Sequence, residues 1–306
     1  PVCVEVTDRA GRTKSATASI YLDSTAPSAT AFTIAGGASK VGSRSVTVSG
    51  SADDAPNDLV RFALGNESLD CSSASYSASY ATAISGALDL SDADGLRTVV
   101  ACLRDGAGNL GSVSDTILLD RQGPGGAFTL AAGATHTGTR NVAVAFSGVR
   151  DDVAQYALTE SSIASCAELS AGQWQTYDEN PTFALSDSDG THTISACLRD
   201  DVGNATLLAS RAIVLDRAAP SAPVGSAHAR PGFVHTGGAG SEIPSGGVTN
   251  DPLPVFSWTA ASDVHGEPLR YTLELSSVPT FTSPELRVSD IAGTSVPAPA
   301  DLSDDT

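Results

Sequence analysis

The sequence predicts an all-β chain of tandem antiparallel β-sandwiches, and three observations predict it. Apolar and polar residues alternate over short segments, the period of a half-buried strand, and no stretch of useful length has helical periodicity. Gly, Asp and Asn punctuate these segments as turns. The pattern also repeats along the chain. Ala31-Phe32-Thr33-Ile34-Ala35-Gly36-Gly37 recurs 96 residues on as Ala127-Phe128-Thr129-Leu130-Ala131-Ala132-Gly133, and Leu90-Ser91-Asp92-Ala93-Asp94-Gly95 recurs 95 residues on as Leu185-Ser186-Asp187-Ser188-Asp189-Gly190.

Three similar exits set the domain boundaries: Leu22-Asp23-Ser24-Thr25-Ala26-Pro27, Leu119-Asp120-Arg121-Gln122-Gly123-Pro124 and Leu215-Asp216-Arg217-Ala218-Ala219-Pro220. Residues 1–27 read as the C-terminal hairpin of a preceding domain, 28–124 and 125–220 as two full domains, and 221–306 as a different and incomplete one. The candidate strand faces are Val46/Val48, Phe62/Leu64, Val99/Ala101/Leu103 and Ile117/Leu119 in the first copy. In the second they are Val142/Val144/Phe146, Tyr156/Leu158, Ile194/Ala196/Leu198 and Ile213/Leu215. About seven strands in roughly 95 residues is the size of an immunoglobulin-type sandwich.

Cys71 and Cys102 are 31 apart, as are Cys166 and Cys197, so the pair repeats with the domain. Metal binding calls for closer cysteines, and a catalytic cysteine would not recur with a partner; two disulfides and an oxidising compartment follow. Cys102 alternates with Val99, Ala101 and Leu103, so the bridge is expected on the outer face of one sheet, stapling a late strand to the loop after an earlier one. Cys3 matches neither position, and its partner is expected in the preceding domain.

The run from Asp94-Gly95 through Asp105-Gly106-Ala107-Gly108-Asn109 to Leu119-Asp120 and Pro124 resembles the immunoglobulin-like repeats of large bacterial surface and secreted proteins. Trp174 and Tyr177 fill its mid-repeat aromatic positions in the second copy, with Tyr76 and Tyr80 in the first, and Val202 replaces Ala107. Pro254 to Asp263 with Leu269 to Leu275 looks like two strands of a fibronectin type III-like module. The resemblance implies an extracellular or cell-surface stalk, adhesin or filament scaffold. Carbohydrate- or protein-binding accessory modules of a secreted enzyme are the alternative. Partners are then neighbouring domains of the same chain and a cell-surface protein or carbohydrate.

In this topology the loop between the second and third main strands and the turn between the last two meet the incoming linker. That gathers Asp23, Asp53, Asp54 and Asp105 at the first junction, and Asp120, Asp151, Asp152 and Asp200 or Asp201 at the second. The third combines Asp216 with Asp263. Two carboxylates about 5 Å apart repel by about 3 kcal/mol at an effective dielectric near 20. Either calcium, which suits oxygen-only ligands, or solvation with Asx-turns at Asp105 and Asp200 answers that repulsion. Asp92-Ala93-Asp94-Gly95 and Asp187-Ser188-Asp189-Gly190 lack the following Glu of a calcium loop and read as hairpin turns.

Other chemistry is not indicated. A net charge of −18, with Lys14 and Lys40 the only lysines, argues against nucleic-acid binding. His136, His192, His228, His235 and His265 are scattered and read as solvated loop residues. No nucleophile elbow or membrane-spanning run is present, and the glycine-rich run from Gly232 to Gly247 lacks the Lys of a phosphate loop. Trp174 and Trp258 read as core aromatics rather than a sugar platform. The expectation is no catalytic residues and no required cofactor.

Overall fold

The computed structural model describes the chain except residues 55–59, 80, 231, 237–241, 267, 279, 283, 285 and 303–306. Tyr80, part of the glycine-rich run and Asp304-Asp305-Thr306 therefore lie outside the described residues. The chain divides into two compact units. One is Pro1–Phe128 with Ala145–Pro181 and Ile194–Ser210; the other is Thr129–Val144 with Thr182–Thr193 and Arg211–Thr306. The division runs through the second repeat.

The first unit opens with a hairpin of β1 (Val2–Thr7) and β2 (Thr13–Ala18), closed by Asp8, whose Oδ1 accepts the backbone N–H groups of Ala10 and Arg12. The first repeat follows with seven strands: β3 (Ser28–Ile34), β4 (Lys40–Val41), β5 (Ser45–Asp53), β6 (Arg61–Asn66), β7 (Ala83–Asp89), β8 (Gly95–Arg104) and β9 (Leu110–Leu119). They form two sheets, β3-β5-β7 and β4-β9-β8-β6. All pairings are antiparallel except β4 on β9, where Lys40 lies opposite Leu118.

Alternation decides which side chains meet between the sheets. Ile34, Val46, Val48, Leu90, Val99, Ile117 and Leu119 form one buried cluster, and Ala52, Val60, Ile84, Ala101 and Leu103 another. Each fully buried Leu, Ile or Val contributes roughly 1.5–3 kcal/mol against exposure. Asp92-Ala93-Asp94-Gly95 is not the hairpin turn that the sequence suggests: β7 pairs with β5 and β8 with β6 and β9, so this turn carries the chain from one sheet to the other.

The second repeat carries β10 (Ala127–Leu130), β11 (His136–Thr137), β12 (Asn141–Ser147), β13 (Val153–Thr159), β14 (Gln175–Thr176), β15 (Thr182–Ala184), β16 (Gly190–Asp200), β17 (Ala205–Leu207) and β18 (Arg211–Leu215). Within the first unit, β13 pairs antiparallel with β16 and β14, and β17 extends β16. Phe146 packs there among Phe128, Tyr156 and Tyr177, with ring centroids 5.6–6.2 Å apart.

In the second unit β11 runs parallel to β18, and β12 pairs with β15. The third module adds β19 (Gly225–His228), β20 (Glu242–Ile243), β21 (Val255–Trp258), β22 (Tyr271–Leu275), β23 (Leu286–Ile291) and β24 (Ser295–Pro297). One sheet orders them β20-β19-β21-β24, and β22 and β23 form another pair. The module's buried charge is Asp251, which accepts from Nε and Nη2 of Arg230 at 2.9 and 2.6 Å. The Arg230 guanidinium, outweighing burial, lowers the Asp251 carboxyl to about 2.

Candidate functional site

The chemistry of this chain concentrates where one sandwich hands over to the next. The turn after β8 begins with Asp105 and ends with Asn109, and Gly108 between them has φ +98°, a left-handed conformation that suits glycine. Asp105 Oδ1 accepts the N–H groups of Gly108 and Asn109 at 2.6 and 2.8 Å, and its Oδ2 accepts from the Asn109 amide at 2.7 Å. Burial pushes the Asp105 carboxyl up, but the bonds from the Asn109 side chain and from the Asn109, Gly108 and Ala107 backbone together outweigh it and hold the group below its ordinary value.

The same Asn109 amide donates to the carbonyl of Asp23 in the incoming linker, at 3.3 Å. The second copy repeats the arrangement. Asp200 accepts from Val202, Asn204 and the Asn204 side chain, Gly203 has φ +98°, and Asn204 Nδ2 donates to the Asp120 carbonyl at 2.8 Å. One asparagine thus ties each turn to the linker that enters its domain.

The residue after the exit aspartate reaches the other way. Arg121 donates to Asp94 Oδ1 at 2.7 Å, to Asp92 Oδ1 at 3.0 Å and to the Asp92 carbonyl at 2.9 Å, all in the domain it leaves. Arg217 does the same to Asp189 Oδ1 at 2.6 Å, Asp187 Oδ1 at 2.8 Å and the Asp187 carbonyl at 3.3 Å. Arg44 and Arg140 add a second cation to these turns, through Asp92 and the Leu90 carbonyl, and through Asp187 and the Leu185 carbonyl. The acids that look like half a calcium loop therefore meet arginines.

The gathered aspartates do converge, in threes. Asp23, Asp54 and Asp105 form one group, Asp120, Asp152 and Asp200 a second, and Asp216, Asp263 and His265 a third, with ligand atoms in each group within 4.8 Å of one another. Asp53 and Asp151 stand outside these groups and are exposed. Asp201, the alternative to Asp200, instead pairs with Lys40 Nζ at 2.5 Å.

The histidines correct the reading of solvated loops. His192 is buried, with Nε2 2.8 Å from the Ser188 carbonyl; His228 is half-buried against Ser257; His265 Nδ1 lies 3.2 Å from Asp216 Oδ1. Sequence reasoning missed His265, Lys40 and the exit arginines as joint residues. The signal was there for the arginines, because Leu-Asp-Arg recurs at both later exits and Arg44 and Arg140 share one repeat position.

Both disulfides are formed, Cys71–Cys102 and Cys166–Cys197. Cys102 lies on β8 outside both core clusters of the first repeat, so the bridge does staple that strand to the segment following β6. Both Cys102 and Cys197 are nevertheless fully buried. Cys3 is exposed and free. Trp174 is half-buried with the Arg199 guanidinium 4.2 Å from the centre of its ring, and Trp258 packs on Tyr271 at 5.3 Å.

The chain is a tandem array of immunoglobulin-like β-sandwiches with a fibronectin type III-like sandwich. No family model and no curated protein matches it. Among solved structures it is similar to the fibronectin(III)-like modules of Clostridium thermocellum CbhA, at 14% identity over 60% of this chain and 92% of that one, with a TM-score of 0.32. It is also similar to the tetra-tandem repeat in the extending region of a large adhesion protein, at 18% identity over 98% and 72% with a TM-score of 0.27. The FN1–FN3 domains of chicken CNTN1 match at 9% identity over 90% and 89%, with a TM-score of 0.29. None of these carries a function to this chain. No described helix is long and apolar enough to cross a membrane.

Proposed function

We propose that this chain is a non-catalytic extracellular repeat region, a stalk or scaffold within a larger surface or secreted protein, whose linkers act as joints that hold neighbouring modules in register. The observation that carries this reading is the double grip on the linker. Asn204 holds the Asp120 carbonyl from the domain ahead while Arg121 holds Asp92 and Asp94 of the domain behind. A linker free to reorient has no use for such paired contacts, each of which costs side-chain entropy to hold. Two buried disulfides support an oxidising, extracellular setting.

Calcium belongs to this reading at the Asp23, Asp54 and Asp105 group, which offers oxygen ligands only. Asp105 already accepts three hydrogen bonds from its own turn, so an ion there would share those oxygens. The test is small-angle scattering of the whole chain against an Asn204→Ala, Arg121→Ala variant, with and without millimolar calcium. A stalk gives a wild-type profile that fits one conformer and a variant profile that needs an ensemble. A wild-type profile that already needs freely reorienting modules would overturn the reading.

A further inference from the structure

Lys40 is one of two lysines in the chain, and it is placed with unusual care. It opens β4, whose parallel pairing sets Lys40 opposite Leu118 and Val41 opposite Leu119, directly before the linker. The Val41 carbonyl accepts the Asp120 N–H at 3.0 Å, which anchors the linker's first residue to the same two-residue strand. From there the Lys40 side chain, only 15% exposed, reaches Asp201 of the next repeat at 2.5 Å and Asp120 of the linker at 3.7 Å. A lysine that buried needs a counter-charge, and this one meets several carboxylates from two domains.

The backbone beside it confirms how closely the two repeats approach. A Cβ on Gly42 would lie 3.1 Å from the Val202 carbonyl oxygen and 3.3 Å from Asn204 Oδ1, so residues 40–42 press on the turn that holds Asp200 and Asn204. That turn carries acids, and the segment pressing on it carries one ammonium. The Asp201 hydrogen bond raises Lys40 above its ordinary value against burial, and the charges of Asp201, Asp120 and Asp152 add to it.

We infer that Lys40 is the built-in cation of the second joint, neutralising the Asp120, Asp152 and Asp200 group from the preceding repeat so that this joint keeps its register without a divalent metal. At the corresponding position of the second repeat, 96 residues on, stands His136, which is exposed. The ionic lock is therefore a property of this joint and not of the repeat. The inference rests on the reading of the linkers as joints and adds what sets the electrostatics of one of them.

The test uses the full chain with spin labels at the exposed positions Ser85 and Ser162, introduced as non-natural residues so that the disulfides are left alone. Pulsed dipolar spectroscopy then gives the distance distribution across the joint for wild type, Lys40→Met and Lys40→Arg, each with chelator and with millimolar calcium. The expected result is a narrow wild-type distribution indifferent to chelator and calcium, a Lys40→Met distribution at least twofold broader, and a narrow one restored by Lys40→Arg. Narrow distributions in wild type and Lys40→Met alike overturn the role of Lys40 while leaving the joint intact. A wild-type distribution that broadens on chelation means a bound metal is the cation. A wild-type distribution broad under every condition overturns the joint itself.

Discussion

The second and third joints are entered by the same Leu-Asp-Arg exit, yet they are closed by different chemistry. At the second, Asp120 meets Asp152 and Asp200, Asn204 clasps the linker carbonyl, and Lys40 supplies the positive charge. At the third, Asp216 meets Asp263 and the ring of His265, and the linker's Arg217 still turns back onto Asp187 and Asp189. The backward grip is thus common to the repeats, because it lies wholly within one repeat and its own exit. The forward grip depends on what the next domain presents, and a fibronectin type III-like module presents a histidine where a repeat presents its Asp-Gly-Asn turn.

The modules behind the two joints differ in the same way, and this sets the largest expected effects. The second joint enters a domain stapled by Cys166–Cys197; the third enters one with no cysteine in its sequence, where Arg230 and Asp251 form the buried lock. Replacing Cys166 and Cys197 together by Ser should destabilise the second repeat by about 3–4 kcal/mol, as loop-closure entropy predicts for such a separation. Urea unfolding followed by Trp174 fluorescence checks it, and the third module's transition should not move.

Asp251→Asn should cost about 3 kcal/mol in the third module alone, the penalty of leaving half of a buried pair. The pH dependence has a defined sign. A carboxyl held at about 2 in the folded state contributes stability fully present above the ordinary value of 3.8, and lost as pH falls toward 2. Acid titration between pH 4 and 2 should therefore unfold the third module more steeply in wild type than in Asp251→Asn.

Smaller again is Asn204→Ala, which removes the clasp on the Asp120 carbonyl and leaves Asp200 Oδ2 short of a donor; about 2 kcal/mol is expected. Melting with Trp174 as reporter measures it. The third joint, which has no such asparagine among its described contacts, should respond only if the two joints are coupled.

Most of the fold was legible because period-two alternation and a 96-residue repeat are read directly from side chains: Val99, Ala101, Leu103, Ile117 and Leu119 fall in the cores as the alternation requires. The convergence of Asp54 and Asp105 with Asp23 was legible from topology, since the loops at one end of a sandwich must meet the entering chain. The partners of these acids were not. Arg121 and Lys40 act over sequence separations of 27 and 161 residues, to Asp94 and Asp201, and only the closed sandwich shows which acid each cation reaches. The Asp92-Asp94 turn was misread as a hairpin because the strands flanking it look alike in sequence whether they pair with each other or belong to opposite sheets.

The central claim is that the linker between the repeats is held as firmly as the strands it joins. Amide hydrogen exchange of the full chain tests it most directly, at the Asp120 N–H bonded to the Val41 carbonyl and at the Asn204 side-chain amide bonded to the Asp120 carbonyl. Protection at both positions within about tenfold of the β8 and β9 amides is the predicted result. Exchange at the rate of an unstructured peptide, with the strands still protected, would contradict the account and leave the repeats as independently reorienting domains.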